Sequence, residues 1–503
     1  MHTFADPLNR ARQQFPDRVG VVADNVRLTY AETWSRCRRL AGVLNQLGVE
    51  PGDRVAILAA NSHRYLEAYL AIPASARVLV PLNTRHSEPE LRYALEDSGA
   101  RVLIADRDPG ALAGAVERVI RIPDEYEALL AAAPEADLGV GLNENALAGL
   151  FYTGGTTGAS KGVMLSHRNL IANTNHWLIA TQQGPDDRYL VLAPLYHAAG
   201  STAVLATVWI GGRQLTLPAF DPGAALDLIE AEQVTVTLGV PTMIAAIAEE
   251  QLARPRQVGS LRTVLHGGSP IATGVVRRAR AAFPGVELIH VYGATEMAPL
   301  ATMLRHEERM VDTDLARSCG QAVAGVSVTI TDQNGRALPS GEIGEVVVSG
   351  PNIMQGYWNK PAETAQALRD GGYRSGDLGW MNERGYLILV DRAKDMIITG
   401  GENVYCTEVE EILYAHPAVL EAAVFGVPDA KWGEAVHGVV VPRPGQAVDG
   451  AALIAFCRAR IAGYKVPKQI DLQSDPLPKS GPGKVLKREL RAPFWEGRPG
   501  QIN

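Results

Sequence analysis

The sequence predicts an α/β protein with a large N-terminal domain of doubly wound sheets, a small β-barrel-like part, and a smaller α+β C-terminal domain. Three observations support this prediction. The chain has 503 residues, more than one hydrophobic core normally serves, so at least two domains are expected. Strand-like and helix-like segments alternate along the first part of the chain. After about residue 316, short β-rich runs replace them.

The alternation begins near the N-terminus. Thr29 and Glu32 form a predicted capping box, and apolar residues at positions 40, 43, 44 and 47 then follow the helical period. The runs "RVAILAA" and "RVLVPL" predict buried strands on either side of the helical segment "YLEAYLAI". Similar strand-like runs are "RVLIAD" and "TVTLGV". Such alternation indicates a largely parallel sheet with helices on both faces.

One stretch is long enough to cross a bilayer, because no charged residue occurs between Arg188 and Arg213. However, Pro194, His197 and Gly200 interrupt it. We therefore predict a buried strand, a loop and a buried helix instead of a transmembrane segment.

The C-terminal part has a different pattern. The run "GVSVTITDQNGRALPSGEIGEVVVSG" contains Asn-Gly and Ser-Gly turns between short strands, as in hairpins or a small barrel. A second capping box is predicted at Thr407 and Glu410, followed by the strands "EAAVFGV" and "VHGVVVP" and a helix near 451–462. These elements predict a separate α+β domain.

Composition limits the function and the compartment. The net charge of −7 and the isoelectric point near 5.9 argue against nucleic acid as the main partner. Asp6, Arg10 and Arg12 stand where a signal peptide needs an apolar run, so a cytoplasmic protein is expected. The four cysteines contain no C-x-x-C pair, which suits a reducing compartment and argues against structural zinc or a disulfide framework. They are Cys37, Cys319, Cys406 and Cys457.

The stretch "YTGGTTGASKGV", residues 152–163, is rich in glycine and threonine and contains Lys161. Glycines allow backbone amides to close on an anion, threonine hydroxyls add donors, and a lysine adds charge. The common P-loop pattern is absent, because Lys161 follows Ser160 and precedes Gly162, and no G-x-G-x-x-G pattern occurs. The stretch predicts a phosphate-binding loop of another kind; a flexible surface loop is the alternative.

The stretch resembles the ATP-phosphate loop of the adenylate-forming superfamily, which includes acyl-CoA synthetases, adenylation domains and firefly luciferase. Six further motifs resemble those of the family and occur in its order. They are "LYHAAG" (195–200), "HGGSP" (266–270), "VYGATE" (291–296), "YRSGDLG" (373–379), "DRAKDMIITGGENVY" (391–405) and "PKSGPGK" (478–484). The resemblance departs at Gly154, Ala294 and His266, where the family more often has serine, threonine and a small residue.

The resemblance implies an ATP site with Mg²⁺. Glu296 is expected to bind Mg²⁺, Asp377 to accept the ribose hydroxyls, and Arg392 to approach the ribose from the other domain. Lys484, Glu296 and Thr156 are the expected catalytic residues. Taken in isolation, Glu296 is equally explained as a solvated helix start and Asp377 as a turn cap. The full predicted ATP-binding set is Thr153, Gly154, Gly155, Thr156, Thr157, Gly158, Lys161, Gly268, Ser269, Tyr292, Gly293, Ala294, Thr295, Asp377, Arg392 and Lys484.

The implied reaction has two steps. ATP first converts a carboxylate into an acyl-adenylate with release of pyrophosphate, and the acyl group is then transferred to coenzyme A (CoA). Both reactants of the first step are anionic, so cationic and amide donors must stabilise the shifting charge. The resemblance implies a large domain, 1–393, and a small mobile domain, 394–503, that carries Lys484 and swings about a hinge at Lys394.

The acceptor is predicted from the C-terminal part, where residues 455–491 contain nine lysines and arginines against three acidic residues. This suits the phosphates of CoA, although a solvated helix face is the alternative. A carrier-protein-loading enzyme is a second alternative, and it is weakened because no carrier domain follows. A non-catalytic relative is disfavoured because Lys484 and Glu296 are both present. The predicted CoA-binding residues are Arg85, Gly400, Gly401, Trp432, Tyr464, Lys465 and Lys468.

The acid pocket is predicted to be small and mostly apolar, with no aspartate to hold an amino group. A medium- or long-chain fatty acid is favoured, and an aryl or cinnamic acid is the alternative. The expected partners are thus small molecules. Peripheral contact with a membrane is compatible with this expectation, and a monomer or a homodimer is expected. The predicted lining residues are His197, Ala198, Gly239, Val240, Gly268, Gly293, Ala298 and Pro299.

Overall fold

The computed structural model describes residues 3–153, 160–269, 271, 273–305, 313, 315, 318–369, 371–392, 395–429, 431–479 and 485–496. The chain divides into two compact units. The first comprises 1–328 with 348–374, and the second comprises 329–347 with 375–503. The α/β class, with a large N-terminal part and a smaller C-terminal part, is confirmed. The hinge boundary between 393 and 394 stays a prediction.

The first unit contains a seven-stranded sheet. Its inner strands are parallel, whereas the strand Lys161–Ser166 pairs antiparallel with Leu147–Thr153. Buried side chains of these strands, including Leu58, Val80 and Leu103, form its core with the helix Glu88–Ser98. From one edge to the other the strands are Gly356–Tyr357, Lys161–Ser166, Leu147–Thr153, Val78–Pro81, Arg54–Leu58, Ala100–Ala105 and Arg118–Arg121.

The same unit also contains a nine-stranded sheet. Its six central strands are joined by parallel pairs and its edges by antiparallel pairs. Leu190, Leu215 and Val264 pack with Ile244 and Phe283 in its core. The strands in order are Gln321–Ala322, Thr302–Arg305, Glu287–Tyr292, Thr263–Gly267, Val236–Gly239, Arg188–Val191, Arg213–Thr216, Val19–Ala23 and Val26–Thr29.

Helices connect these strands, as the alternation predicted. The capping box of Thr29 and Glu32 is confirmed at the start of the helix Tyr30–Gln46. Two short 3₁₀ turns, Gly110–Ala115 and Thr295–Met297, also occur. The α-helices of this unit are Ala5–Gln14, Tyr30–Gln46, His63–Ala74, Glu88–Ser98, Asp124–Ala132, His167–Thr181, Ala198–Ile210, Pro222–Glu232, Pro241–Ala253, Thr273–Ala282 and Pro361–Ala367.

The uncharged stretch between Arg188 and Arg213 forms the predicted buried strand, Arg188–Val191, and the predicted helix, Ala198–Ile210. Over the described ranges, no helix combines the length and the apolar character that crossing a membrane requires.

A five-stranded sheet follows, and it includes the β-rich run predicted at 325–350. Its strands in order are Ser327–Thr331, Gly344–Ser349, Gly372–Met381 and Leu368–Arg369, with Leu387–Arg392 paired to Gly372–Met381.

The C-terminal part is an α+β arrangement, as predicted. Val424, Val440, Leu413 and Leu453 form its buried core between the sheet and two helices. Its helices are Cys406–Tyr414, Gly450–Arg458 and Lys487–Trp495, with a 3₁₀ turn at Gly463–Lys465. Its strands in order are Glu402–Val404, Ile397–Thr399, Gly433–Pro442 and Val419–Asp429, with Gln469–Leu472 paired to Gly433–Pro442.

The capping box predicted at Thr407 and Glu410 is wrong. The helix begins at Cys406, two residues before the start that this capping box predicts, so Thr407 lies inside its first turn. The Cys406 amide donates to the Asp391 carboxylate at 2.5 Å, and the Thr407 hydroxyl donates to the Val390 carbonyl. A carboxylate from the strand Leu387–Arg392 thus satisfies the free amide that a local cap would otherwise satisfy.

Candidate active site

The predicted phosphate loop is anchored at both ends. Thr153 and Lys161 are register partners in the hairpin formed by the strands Leu147–Thr153 and Lys161–Ser166. The Ser160 hydroxyl donates to the Thr153 carbonyl at 2.6 Å. The hairpin therefore brings the two ends of the loop together at the end of a central strand.

The candidate metal-binding carboxylate follows a strand of the nine-stranded sheet. The strand Glu287–Tyr292 leads through Gly293 into the 3₁₀ turn Thr295–Met297, which contains Glu296. A Cβ on Gly293 would lie 1.6 Å from the Pro299 carbonyl oxygen, so the chain can turn here only with glycine. Of the predicted ATP-binding residues, this turn places Tyr292, Gly293, Ala294 and Thr295 directly before Glu296.

Tyr357 connects this carboxylate with the phosphate loop. Its hydroxyl donates to Glu296 Oε1 at 2.9 Å, and Lys161 Nζ lies 4.8 Å from the centroid of its ring. Burial, followed by the charge of Glu296, raises the pKa of Tyr357, so the hydroxyl stays a hydrogen-bond donor at neutral pH. Tyr357 was not predicted from the sequence, because "GYWNK" carries no signal of the distant partner that its hydroxyl contacts.

The candidate ribose-binding carboxylate has a cationic partner. Asp377 Oδ1 lies 3.1 Å from Arg392 Nε, and the two residues are register partners on adjacent strands of the second unit. The Asp377 side chain is 12% exposed and that of Arg392 is 36% exposed. Asp377 is therefore a nearly buried anion held by an arginine that remains accessible. Both residues were expected at the ribose from the sequence, but their pairing was not predicted.

His197 belongs to the predicted acid-binding motif and lies immediately before the helix Ala198–Ile210. The motif depends on Gly200, because a Cβ there would lie 2.0 Å from the Pro194 carbonyl oxygen. Burial lowers the pKa of His197 to about 4, and the nearby charges of His86 and Arg85 act in the same direction. The imidazole is thus neutral at pH 7. Arg85, predicted to bind CoA, is placed by this interaction near the acid-binding motif.

Other predicted acid-pocket residues lie at the ends of adjacent strands. Gly239 ends the strand Val236–Gly239, and a Cβ on Gly268 would lie 3.7 Å from Val240 Cγ1. Gly268 has φ +82°, a conformation that glycine adopts without strain, and Ser269 follows it. The structure therefore brings Val240 and Gly268 together. Ala298 is fully buried.

Two histidines stack on the adjacent strands Thr263–Gly267 and Glu287–Tyr292. The rings of His266 and His290 lie 4.9 Å apart and nearly parallel, since these residues are register partners in neighbouring parallel strands. Burial lowers the pKa of His290 to about 4. His266 was predicted as a departure from the family pattern, whereas His290 was not identified from the sequence.

The predicted CoA surface lies in the second unit. A Cβ on Gly400 would lie 2.7 Å from the Trp432 ring, so glycine at this position allows the indole to pack on the backbone. Gly401, next to it, has φ +85°. Trp432 is 43% exposed, and Lys431 Nζ lies 4.5 Å from its ring centroid. The result is an exposed aromatic platform with a cation beside it.

Further cations belong to the same surface. The charges of Lys431 and Lys468 contribute, after backbone hydrogen bonds, to lowering the pKa of Asp429, which places both lysines near this turn. Tyr464 is 42% exposed. Lys465, however, donates to both carboxylate oxygens of Glu408 at 2.8 Å, so its charge is already paired.

Several predicted site residues lie outside the described residues. They are Gly154, Gly155, Thr156, Thr157, Gly158, Lys394 and Lys484.

The donor chemistry around Glu296 fits Mg²⁺. Proteins usually hold Mg²⁺ through one or two carboxylates, and substrate phosphates and water complete the coordination. Glu296 offers a carboxylate that accepts a hydrogen bond from Tyr357, and Lys161 lies near the ring of the same tyrosine. When bound, Mg²⁺ would neutralise phosphate charge.

Comparison with known proteins identifies the family of the chain. Residues 8–358 match the model of the AMP-binding enzyme family, and residues 408–484 match that of the AMP-binding enzyme C-terminal domain. Feruloyl-CoA synthase of Amycolatopsis sp is 44% identical over 97% of this chain and 98% of its own. Long-chain-fatty-acid–CoA ligase FadD13 of Mycobacterium tuberculosis is 33% identical over 93% and 94%.

A solved structure is also similar over nearly the whole chain. It is o-succinylbenzoate coenzyme A synthetase (MenE) from Bacillus subtilis in complex with ATP and magnesium ion. The TM-score is 0.87 and the identity 30%, covering 96% of this chain and 99% of that one.

Proposed function

Because the chain belongs to the AMP-binding enzyme family, we propose that it joins a carboxylic acid to CoA at the expense of ATP. The acid first forms an acyl-adenylate with release of pyrophosphate, and the acyl group then passes to the thiol of CoA. The observation that carries this proposal is the 44% identity to feruloyl-CoA synthase over 97% of the chain. The convergence of Lys161 and Glu296 on Tyr357 supports it independently.

Each charged residue has a task in this reaction. Lys161 and the amides of the anchored loop bind the phosphates of ATP, and Glu296 is the protein ligand for Mg²⁺. Asp377 accepts the ribose hydroxyls, and Arg392 sits beside it. Lys484 neutralises the charges of the carboxylate and the α-phosphate as these groups approach each other. Thr156 binds the phosphates of ATP. Donors placed where charge develops stabilise the transition state.

For the acid, we infer an aromatic acid of the cinnamic type. The relative named for such an acid shares 44% identity, against 33% for the fatty-acid ligase FadD13. A medium- or long-chain fatty acid is the second candidate, favoured by the apolar lining around Val240 and by that second relative. The neutral imidazole of His197 suits either acid, because it adds no charge to the acyl pocket.

A coupled pyrophosphate-release assay over ferulate, cinnamate, hexanoate and palmitate, with and without CoA, tests the proposal. We expect CoA-dependent turnover to be fastest with ferulate or cinnamate. If turnover is fastest with a fatty acid, the substrate is the second candidate and not an aromatic acid. Adenylation without thioester formation from free CoA would instead favour a carrier protein as acceptor.

The hinge predicted at Lys394 gives a separate test. Two half-reactions that share one site require the small domain to change its orientation, and a hinge residue must change φ and ψ between the two states. Proline fixes φ near −65°. Lys394→Pro is therefore expected to slow thioester formation at least tenfold, on the order of 1.4 kcal/mol, while adenylation falls less than threefold. Single-turnover measurements of each half-reaction check this, and equal losses in both steps would contradict a hinge.

Because Trp432 forms an exposed aromatic platform on the predicted CoA surface, its removal is expected to impair the use of CoA and not the formation of the adenylate. Trp432→Ala removes a stacking surface of the kind worth about 1–3 kcal/mol per base. We expect KM for CoA to rise about tenfold while ATP–pyrophosphate exchange is unchanged. Phe494→Ala, at an exposed aromatic residue of the same unit, is the control and should leave KM for CoA unchanged.

We also infer a cytoplasmic location. The four cysteines are free thiols buried in the structure, as suits a reducing compartment.

A further inference from the structure

One tyrosine side chain contacts both charged residues that the proposed function requires for MgATP. Tyr357 belongs to the short strand Gly356–Tyr357, which pairs antiparallel with the strand that begins at Lys161. Its hydroxyl lies 2.9 Å from Glu296 Oε1, and its ring lies 4.8 Å from Lys161 Nζ. The side chain is buried, so both contacts are held by packing. Because they use different parts of the side chain, substitutions can separate them.

The backbone around Glu296 is fixed by the same segment of chain. The Met354 amide donates to the Glu296 carbonyl at 2.9 Å. The side-chain amide of Asn352, fully buried, donates to the carbonyls of Met297 at 2.6 Å and Leu300 at 3.0 Å. Residues 352–357 therefore hold the main chain of the 3₁₀ turn, and Tyr357 adds a bond to its functional side chain.

The hydroxyl contact restricts the Glu296 carboxylate. A glutamate side chain has several rotatable bonds, and binding a cation requires that they be ordered. A donor that already holds one carboxylate oxygen reduces this ordering cost, as hydrogen-bonding partners of metal ligands generally do. Loss of the donor should therefore weaken Mg²⁺ binding more than it weakens other steps.

The ring contact acts on Lys161. Among the residues that the structure describes, Lys161 forms no ion pair with a carboxylate, and the face of the Tyr357 ring lies beside its ammonium. A ring face attracts the cation without neutralising its charge. The ammonium is thus placed while its full charge remains available to an anion.

We propose that Tyr357 is a positioning residue whose hydroxyl orients the Mg²⁺-binding carboxylate of Glu296 and whose ring places the phosphate-binding ammonium of Lys161. This inference rests on the proposed function, which gives Glu296 and Lys161 those roles.

Calorimetric titration of ATP at a series of Mg²⁺ concentrations separates the two contacts. Tyr357→Phe removes only the hydroxyl, and it should raise the Mg²⁺ concentration for half-maximal ATP binding about tenfold, the effect of one hydrogen bond to a charged group. Its ATP affinity at saturating Mg²⁺ should stay within threefold of wild type. Tyr357→Leu also removes the ring and should weaken ATP binding at saturating Mg²⁺ by a further factor of about three to five.

Tyr126→Phe is the matched control. Tyr126 is also a buried tyrosine of the first unit, and its hydroxyl donates to a carboxylate oxygen, Glu67 Oε2, at the same distance of 2.9 Å. This variant should lower Tm without changing the Mg²⁺ dependence. An equal shift in Mg²⁺ dependence in both variants would show a general effect of lost stability and would overturn the proposal.

Glu296→Ala separates failure of this inference from failure of the proposed function. If Glu296→Ala leaves the Mg²⁺ dependence unchanged, the proposed metal ligand is wrong and the role of Tyr357 falls with it. If Glu296→Ala raises the Mg²⁺ requirement and Tyr357→Phe does not, only the inference about Tyr357 is overturned. If both raise it, adding Tyr357→Phe to Glu296→Ala should have no further effect, because the hydroxyl has lost its acceptor.

Discussion

Replacing Lys484 with alanine is expected to slow acyl-adenylate formation by at least about 10²–10³-fold, the typical cost of losing one donor at a developing charge. Transfer of the acyl group from supplied acyl-adenylate to CoA should remain. The reason is that the ammonium is needed only while the carboxylate and the α-phosphate approach each other. ATP–pyrophosphate exchange and single-turnover thioester formation from synthetic acyl-adenylate measure the two steps separately.

Lys484 lies outside the described residues, but residues on both sides of its motif make defined contacts. Lys479 and Val485 form an antiparallel bridge, and the Leu486 amide donates to the Pro478 carbonyl at 2.8 Å. Further on, Lys487 is paired with Glu410 at 2.8 Å. These contacts hold the described residues on both sides of the motif, 478–479 and 485–487.

Two further variants sharpen the test of Lys484. Lys479→Ala removes a lysine of the same motif whose ammonium pairs with Glu421, and exchange should stay within threefold of wild type. Lys161→Ala should also impair exchange, with part of the loss appearing as weaker ATP binding. Normal exchange in Lys484→Ala would exclude its catalytic role, and lost transfer from adenylate would exclude the division of labour between the two steps.

Local elements of the fold were predictable because their signals are local. The helix Tyr30–Gln46 follows from its capping box and apolar period, and the strand Arg54–Leu58 follows from a short apolar run. The order of strands was not predictable. Gly356–Tyr357 joins the edge of a sheet beside Lys161–Ser166, far back in the sequence, and nothing in either segment specifies that partner.

The same distinction explains the error at Thr407. A threonine with a glutamate three residues later is a sufficient local signal for a capping box. The helix nevertheless begins at Cys406, because the Asp391 carboxylate, which is distant in sequence, accepts from its amide. Competition between a local cap and a distant one is decided by tertiary structure.

For the site, motifs indicated the charged residues but not their connections. Glu296, Lys161 and Asp377 were each identified from the motif that contains them. Tyr357 contacts Glu296 through a hydrogen bond between segments that are distant in sequence. Arg392, the partner of Asp377, lies on the next strand, and its motif was recognised although the pairing was not predicted. A motif records which residue types recur at a spacing, whereas a hydrogen bond between two motifs depends on the folded backbone.

Asp377→Ala is expected to weaken ATP binding at least about 100-fold while the protein stays folded. Two charge-assisted hydrogen bonds to the ribose hydroxyls are each worth about 1.5–3 kcal/mol when they are buried, and the Asp377 side chain is only 12% exposed. Asp377→Asn keeps the size of the side chain but removes its charge, so an intermediate loss is expected. Calorimetry with ATP and thermal unfolding of the same samples measure binding and stability.

The ion pair with Arg392 offers another explanation for any effect at Asp377, and the two explanations predict different results. Suppose that Asp377 served only to hold Arg392 at 3.1 Å. Asp377→Ala and Arg392→Ala would then lower stability by similar amounts, and their effects on stability would not add in the double variant. Both variants would leave ATP affinity nearly unchanged. If Asp377 binds the ribose, ATP affinity falls far more in Asp377→Ala than in Arg392→Ala. That asymmetry is expected, because an accessible arginine beside a bound nucleotide contributes less than the buried acceptor of its two hydroxyls. Normal ATP binding by Asp377→Ala would refute the ribose assignment.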